Sequence, residues 1–358
     1  MSGVLSSGAI KGRARELGFD LCGIAPAQGF PELKFLNEWL GRGYAGEMEY
    51  MSKSAERRAD IRNVLPSAKS VIVTGTIYNT DAGATDATRA AGAARTSDAV
   101  QVARYARGQD YHVVLGERLH ALLEWMRTQQ PEGFDAEVFV DKHHVQERVY
   151  AQRAGLGWIG KNTCVINREQ GSYFFLAGIA TSLALDWDTP GFDQCGACTL
   201  CIDACPTGAI VDARVLDATK CISYLTIEVD GPIPEDQRPQ IGNHAYGCDI
   251  CQDVCPWNLA APTTSDVAWQ GPQRDGLSAA DLWQRSDFDL HMLVKGSAMT
   301  YLPLSRLRRN LATVIGNTGD PALSEALDRP GRGIRNAARS TQAPVVEDAV
   351  VWARRRLR

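Results

Sequence analysis

Residues 195–210 read CGACTLCIDACPTGAI and residues 248–257 read CDICQDVCPW. The first run places Cys195, Cys198, Cys201 and Cys205 at spacings x2, x2, x3, with Pro206 directly after. The second places Cys248, Cys251 and Cys255 at x2, x3, again followed by a proline, Pro256. Three close thiolates with a fourth reaching across is the run that holds paired [4Fe–4S] cubes. The second run lacks its first cysteine, because Ala245 stands where the x2-x2-x3 pattern would put it. Cys221, in KCISYLTIE between the runs, fills the vacancy. Two cubes need eight thiolates, and the segment has eight. The spacing therefore predicts Cys195, Cys198, Cys201 and Cys255 on one cube, and Cys205, Cys221, Cys248 and Cys251 on the other.

Zinc also takes four thiolates, but zinc ribbons need neither the x2-x3 extension nor a proline after each run. Disulfides require an oxidising compartment. The N-terminal MSGVLSSGAIKGRARELGF has no apolar core of a signal peptide and no twin-arginine pair, so a cytoplasmic location is expected.

Outside this stretch, 358 residues with 44% apolar and 22% charged composition allow two or three domains with a sizeable core. No apolar run approaches the ~18 residues of a membrane span. The net charge of −4 argues against indiscriminate nucleic-acid coating. From Thr300 onward, however, eleven arginines, no lysine and five acids give a local +6 on a body of −10. Two readings stand: a localised anionic partner, or an arginine-rich solvated helix face.

Periodicity predicts helices over Val4–Leu17, Pro31–Arg42 and from His112 to about Gln129, the last with a core stripe of Val113, Leu115, Leu119, Leu122, Leu123 and Met126. VIVTGTIY at 71–78 reads as a buried strand, and Asp81–Ala99 as a flexible loop. Ala136–Val140 reads as a strand that delivers Asp141, and the helix Val145–Ala154 is stopped by Gly155. Cys164–Asn167 and Ser172–Thr181 read as a hairpin joined by REQG. Strands alternating with helices to about residue 185 give an α/β domain. A ferredoxin-like domain with two [4Fe–4S] clusters follows over 186–260. Residues 261–358 form a helical tail in which SRLRRNLATVIGNTGDPALSEAL has the rhythm of a HEAT-type repeat, and GIRNAARSTQAPVVEDAVVWARRRL of a degenerate second copy. Cys22 and Cys164 sit among apolar residues and read as small buried hydrophobes.

Neither GxGxxG nor a Walker A loop is present, so no dinucleotide or ATP site is signalled. Asp110-Tyr111-His112 nearly opens the DxHxxG run of proteins that bind a corrinoid through histidine. The glycine, Gly116, comes one residue late, and His112 reads as a structural histidine.

EMEYM (47–51), LPSAKSV (65–71), ARYARGQDYH (103–112), ERVYAQRAGLGWIGKNT (147–163), GSYFFLAGI (171–179), KCISYLTIE (220–228), GPIPEDQRPQIGN (231–243) and CDICQDVCPWN (248–258) together resemble the epoxyqueuosine reductase family. The likeness runs in order over about residues 1–260 and continues weakly into the tail. It implies an N-terminal corrinoid-binding α/β domain related to reductive dehalogenases. It also implies reduction of epoxyqueuosine to queuosine at the wobble position of tRNA anticodons by a monomer that uses an unidentified low-potential electron donor and no membrane.

The implied cofactors are base-off cobalamin and two [4Fe–4S] clusters. By motif match, Arg58, Asp141, Val165, Leu176, Ser223, Cys248 and Asp249 face the corrin. The cluster of Cys221, Cys248 and Cys251 lies nearer to it, since Ser223 shares that loop, and electrons enter at the other. Asp141 matches the family's proton donor. A free aspartate titrates near pH 4, so this role implies a rise of about three units through desolvation. Where the family carries a small residue and a proline, this chain reads VDKHHVQER, with Lys142, His143 and His144. Lys220 and the tail residues Arg306, Arg308, Arg309, Arg332 and Arg335 are the candidates for tRNA phosphate contacts. The competing readings are a corrinoid reductase of another substrate such as an organohalide, a two-cluster electron carrier, and an RNA-binding protein with structural clusters. An electron carrier would have no use for ~180 residues of α/β domain before its clusters.

Overall fold

A computed structural model of the chain describes residues 5–80, 98–329, 331 and 343–358. Four strands make the central sheet: β1 (Leu21–Pro26), β2 (Ser70–Ile77), β3 (Ala136–Phe139) and β4 (Phe174–Thr181). Their spatial order is β1-β2-β4-β3, and every neighbouring pair is antiparallel. Both faces are covered, so β2 is buried at all of its positions, with Val71, Ile72, Val73 and Ile77 as its apolar side chains. Ile72 and Ile179 point to one face, where helices α1 (Ser7–Glu16) and α2 (Tyr111–Gln129) contribute Ile10, Ala14, Leu115, Leu119 and Met126. Val71, Val73 and Ala180 point to the other, against Val149, Tyr150 and Ala151 of helix α3 (Glu147–Arg153). Gly155 ends α3 with φ +75°, and a Cβ there would lie 2.7 Å from the Thr189 carbonyl oxygen.

Several expectations need correction. Val113 is 54% exposed and leaves the α2 core stripe. The segment from Pro31 is split into a 3₁₀ turn, Pro31–Lys34, and a helix, Phe35–Gly41. The expected 164–181 hairpin closes at its turn, where Asn167 and Gly171 exchange backbone hydrogen bonds of 2.7 and 3.0 Å. Its arms then part: Val165–Ile166 pairs with Trp158–Ile159, whereas β4 inserts between β2 and β3. The expected loop at 81–99 lies, apart from its last two residues, outside the described residues.

The tail begins its longest helix, α4 (Leu304–Thr318), after Pro303 and ends it at Gly319, which is left-handed. Beyond that come only the 3₁₀ turn Pro321–Leu323 and one helical turn, Ser324–Leu327, before helix α5 (Pro344–Arg356) packs along α4. The first part of the expected second HEAT-like copy, over 333–342, lies outside the described residues. The core of α4 and α5 takes in Val100, Val102, Ala245 and Tyr246, so the tail packs on the body. No helix among the described residues is long and apolar enough to cross a membrane.

Candidate active site

The cysteine segment folds into short turns that gather the thiols in two sets. Cys198 and Cys201 flank the turn into the helix Leu200–Asp203, and Cys248 and Cys251 flank the turn into Ile250–Asp253. Burial raises the Cys201 thiol, and Cys195 and Cys198 add to the rise. Burial likewise pushes Cys255 up to about 11, with Cys195, Cys201 and Cys198 beside it. Trp158 Nε1–H donates to Cys195 Sγ at 3.4 Å. In the second set, burial raises Cys221, next to Cys205, and lifts Cys248 far above its ordinary value, next to Cys221 and Cys205. Cys251 neighbours Cys248 and Cys221. Thiols that raise one another in this way suit soft, cationic centres, since thiolates near one another repel until a metal compensates them.

Cys164 was expected to be a small buried hydrophobe; it is half-buried, and its interaction with Cys251 holds its thiol below the ordinary value. The sequence hint was its place directly after GWIGKNT. Cys22 fits the apolar reading: it packs against the core of α1 and α2, and burial pushes its thiol up to about 12.

Strand β3 ends at Phe139, and the chain turns sharply through Asp141, a non-glycine residue with φ +48°. Such a left-handed conformation is costly outside glycine and concentrates at functional positions. The Asp141 side chain is 61% exposed, yet its Oδ2 is held from behind. Tyr111 Oη–H donates to it at 2.5 Å, and His112 Nε2 lies 3.2 Å away. His112 Nδ1 is 2.7 Å from Asp110 Oδ1, and Tyr301 Oη–H donates to Asp110 Oδ2 at 2.6 Å. Asp110 also caps α2 by accepting from the His112 backbone N–H at 3.1 Å. Tyr111 is stacked between Phe175 and His112, with ring centroids 4.6 and 4.1 Å away. Lys142 Nζ sits 3.6 Å from the Tyr301 ring centroid.

The expected rise in the Asp141 pKa is not found. Burial pushes it up, but the hydrogen bonds from His112 and Tyr111, with the charges of His112 and Arg148, hold the carboxyl below its ordinary value. His112, read from the sequence as structural, is thus part of the site. ARYARGQDYH carried that information, but only the fold brings residues 110–112 to residue 141.

Asp141 acts electrostatically on groups from several elements. Its charge reaches Tyr50, Glu147, Glu228 and Tyr246, the last two of which flank the second thiol set in sequence. Arg58 acts on Tyr50 and Glu147 from the same side, and is fixed by Ser54 Oγ at 2.9 Å and the Val145 carbonyl at 3.1 Å. Glu147 Oε1 is buried without a hydrogen-bond partner, and burial next to Asp141 pushes this carboxyl up to about 8. Asp249 is buried and accepts from the Arg104 N–H at 2.7 Å; burial and Asp253 push it up to about 6. Val165 is buried, Leu176 is half-buried opposite Gly75, and Ser223 is half-buried in the helix Ile222–Ile227. A buried carboxyl with an unpartnered oxygen beside an exposed carboxylate suits a polar ligand that donates a hydrogen bond to it.

The tail arginines are used differently from expectation. Arg308 is fully buried: its Nε and Nη2 donate to Asp287 Oδ1 at 3.0 and 2.9 Å, and Nη1 donates to the Trp283 carbonyl at 2.6 Å. Arg309 is 1% exposed and donates to the carbonyls of Val229 and Gly231 at 2.7 Å and of Leu225 at 2.9 Å. Burial pushes its pKa down to about 10. Neither can reach a phosphate. Arg306 pairs with Asp230 and donates to the Ile227 carbonyl at 2.9 Å. Lys220 is exposed at its tip, 3.5 Å from Asp217. Arg332 and Arg335 lie outside the described residues.

Residues 58–142 match the family described as epoxyqueuosine reductase QueG, DUF1730, and residues 194–258 match the 4Fe-4S double cluster binding domain. An epoxyqueuosine reductase of Xanthomonas campestris is 39% identical over 96% of this chain and 94% of its own. One from Gloeobacter violaceus is 42% identical over 87% of this chain and 96% of its own. Among solved structures, an epoxyqueuosine reductase with an epoxyqueuosine-modified tRNA-Tyr stem loop superposes with a TM-score of 0.85 at 28% identity, covering 98% of this chain and 89% of that one. The Bacillus subtilis enzyme, solved with its catalytic aspartate loop swung out of the active site, superposes with a TM-score of 0.73 at 26% identity, covering 98% and 97%.

Proposed function

The chain belongs to the epoxyqueuosine reductase family, and from that premise we propose that it reduces epoxyqueuosine to queuosine at the wobble position of tRNA, with Asp141 as the proton donor. The observation that carries this reading is the placement of Asp141: exposed on a left-handed turn, held from behind by Tyr111 and His112, and within electrostatic reach of Glu228 and Tyr246. Removing an epoxide oxygen to leave a double bond takes two electrons and two protons and releases water. Bound base-off cobalamin and two [4Fe–4S] clusters supply the low-potential electrons, which come from an unidentified donor.

The chain's own residues do the rest. Cys195, Cys198, Cys201 and Cys255 hold the outer cluster, and Cys205, Cys221, Cys248 and Cys251 the inner one. Arg58, Val165, Leu176, Ser223, Cys248 and Asp249 face the corrin with Asp141, and Glu147 adds its neutral carboxyl to that wall. Tyr111 and His112 fix Asp141 Oδ2, leaving Oδ1 to meet the departing oxygen. Covering this exposed carboxyl with substrate strengthens the desolvation that already pushes its pKa up, and so favours the protonated form. Lys220 remains the candidate for a phosphate contact. Arg306 is committed to Asp230 and keeps the 227–230 loop in place. The chain divides at about 185 and 260 into the catalytic, cluster and tail parts, and works as a cytoplasmic monomer.

The test is an anaerobic assay of the iron–sulfur-loaded protein on epoxyqueuosine-containing tRNA, with and without cobalamin. Queuosine should form only with cobalamin. Equal turnover without it, or turnover of an organohalide in place of the tRNA, would refute the reading.

A further inference from the structure

The reaction consumes two protons, and Asp141 can carry only one at a time. The hydrogen bonds around it show where the other is kept. Asp110 Oδ1 and Oδ2 accept from His112 Nδ1 and Tyr301 Oη, so the imidazole carries its proton on Nδ1. Its Nε2 then faces Asp141 Oδ2 at 3.2 Å, a contact that is a hydrogen bond only when one of the two atoms bears a proton. Tyr111 Oη–H already donates to that same Oδ2 and cannot also lie between them. One transferable proton therefore sits on the line between His112 and Asp141, while Oδ1 faces outward.

His112 also borders a cavity of about 440 Å³ between α2 and the β3 turn. The charged and titratable groups around this cavity are His120, Arg127, Glu137, Lys142 and His143, and His120, Arg127 and Glu137 are exposed at its mouth. The remaining groups that face the imidazole are Asp110 and Tyr111 from its own helix, Asp141 from the turn and Tyr301 from the tail. The ring is thus shielded on the substrate side by Tyr111 and Asp141 and meets solvent from behind.

We propose that His112, oriented by Asp110, is the positioning residue that reloads Asp141 with the second proton of each turnover. The carboxyl gives its Oδ1 proton to the oxygen leaving the epoxide. The carboxylate so formed takes the Nε2 proton of the imidazolium on Oδ2. The carboxyl, neutral again, turns about its Cβ–Cγ bond so that this proton faces outward, gives it to the departing oxygen, and water leaves. The two electrons are those of the reduction itself, and both protons are restored from the cavity side between turnovers. This inference rests on the reduction proposed above.

The experiment compares wild type, His112→Asn, His112→Ala and Asp110→Asn as holoenzymes on epoxyqueuosine-containing tRNA across pH 5–9. His112→Asn should lower kcat by about 10²-fold, in the range of a lost general acid–base partner, with the KM for tRNA within about twofold of wild type. The pH limb due to the imidazole should vanish, and added imidazole should restore part of the rate of His112→Ala. Asp110→Asn should lower kcat by about 10-fold and move that limb to lower pH. Independently of turnover, ¹⁵N-histidine spectra should show the His112 resonance, identified by its loss in His112→Asn, titrating at lower pH in Asp141→Asn than in wild type. A kcat within about threefold of wild type with an unchanged pH profile, or a His112 titration indifferent to Asp141→Asn, would overturn the proposal. Inactivity of the wild type itself would instead refute the function.

Discussion

The turn around Asp141 and the helix Leu304–Thr318 are both dense in charge, and they handle it in opposite ways. At the turn, charges are left incompletely satisfied: Asp141 is exposed with one oxygen outward, and Glu147, six residues on, has a buried oxygen with no partner. On α4, Arg308 and Arg309 are sealed in and bonded to a carboxylate, an amide and main-chain carbonyls of residues 225–231 and 283–287. A charge whose bonds are complete holds domains together. A charge left one bond short is available for chemistry, and the backbone strain at Asp141 belongs with that.

Substitutions at the two places should separate these roles. Arg308→Ala removes a fully buried guanidinium from the Asp287 carboxylate and the Trp283 carbonyl, and should destabilise the protein by about 3–5 kcal/mol. Asp141→Asn should change stability by no more than about 0.5 kcal/mol, since the group it removes is exposed. Denaturant midpoints of the two variants against wild type measure the gap. Equal midpoints would erase the distinction.

Glu147 shows its effect through pH. An unfolded chain ionises this carboxyl near its ordinary pKa of 4.5, whereas the folded one keeps its proton up to about 8. The unfolded state therefore binds fewer protons across that interval, and this group's contribution makes stability fall as pH rises from about 4.5 to about 8, then level off. Glu147→Gln should flatten that part of the profile. An identical slope in both proteins would mean that the carboxyl is not held neutral. The smallest effect belongs to Lys142→Ala, which removes the cation from the Tyr301 ring and should cost about 0.5–1 kcal/mol, read as a modest fall in Tm.

The cysteine segment was legible because metal ligation demands fixed spacings, and spacing survives in one dimension. The proposed ligand sets follow those x2 and x3 intervals, and Cys201 and Cys255 feel Cys195 and Cys198 while Cys248 and Cys251 feel Cys221. Strand β2 and the Leu115–Met126 stripe were legible for a similar reason, since burial imposes a period. The tail arginines were misread because net charge carries no information about burial. Arg308 and Arg309 look like any basic surface pair until Asp287 and the 225–231 carbonyls are brought against them. The parting of the 164–181 hairpin was hidden too: its turn is local and readable, but β4 pairs with β2 and β3, strands roughly 100 and 40 residues earlier in the chain. His112 was missed for want of a long-range contact, because nothing local in residues 110–112 names Asp141 as a partner.

The central claim is that the Asp141 carboxyl donates the proton to the departing epoxide oxygen. Its most direct test is a single turnover of pre-reduced, fully loaded protein with an epoxyqueuosine-modified stem loop, followed by nucleoside mass spectrometry. Wild type should convert about one stem loop per chain to queuosine, and Asp141→Asn, with the same iron content and cobalamin spectrum, should be slower by about 10²–10⁴-fold. Conversion by Asp141→Asn at the wild-type rate would contradict the account.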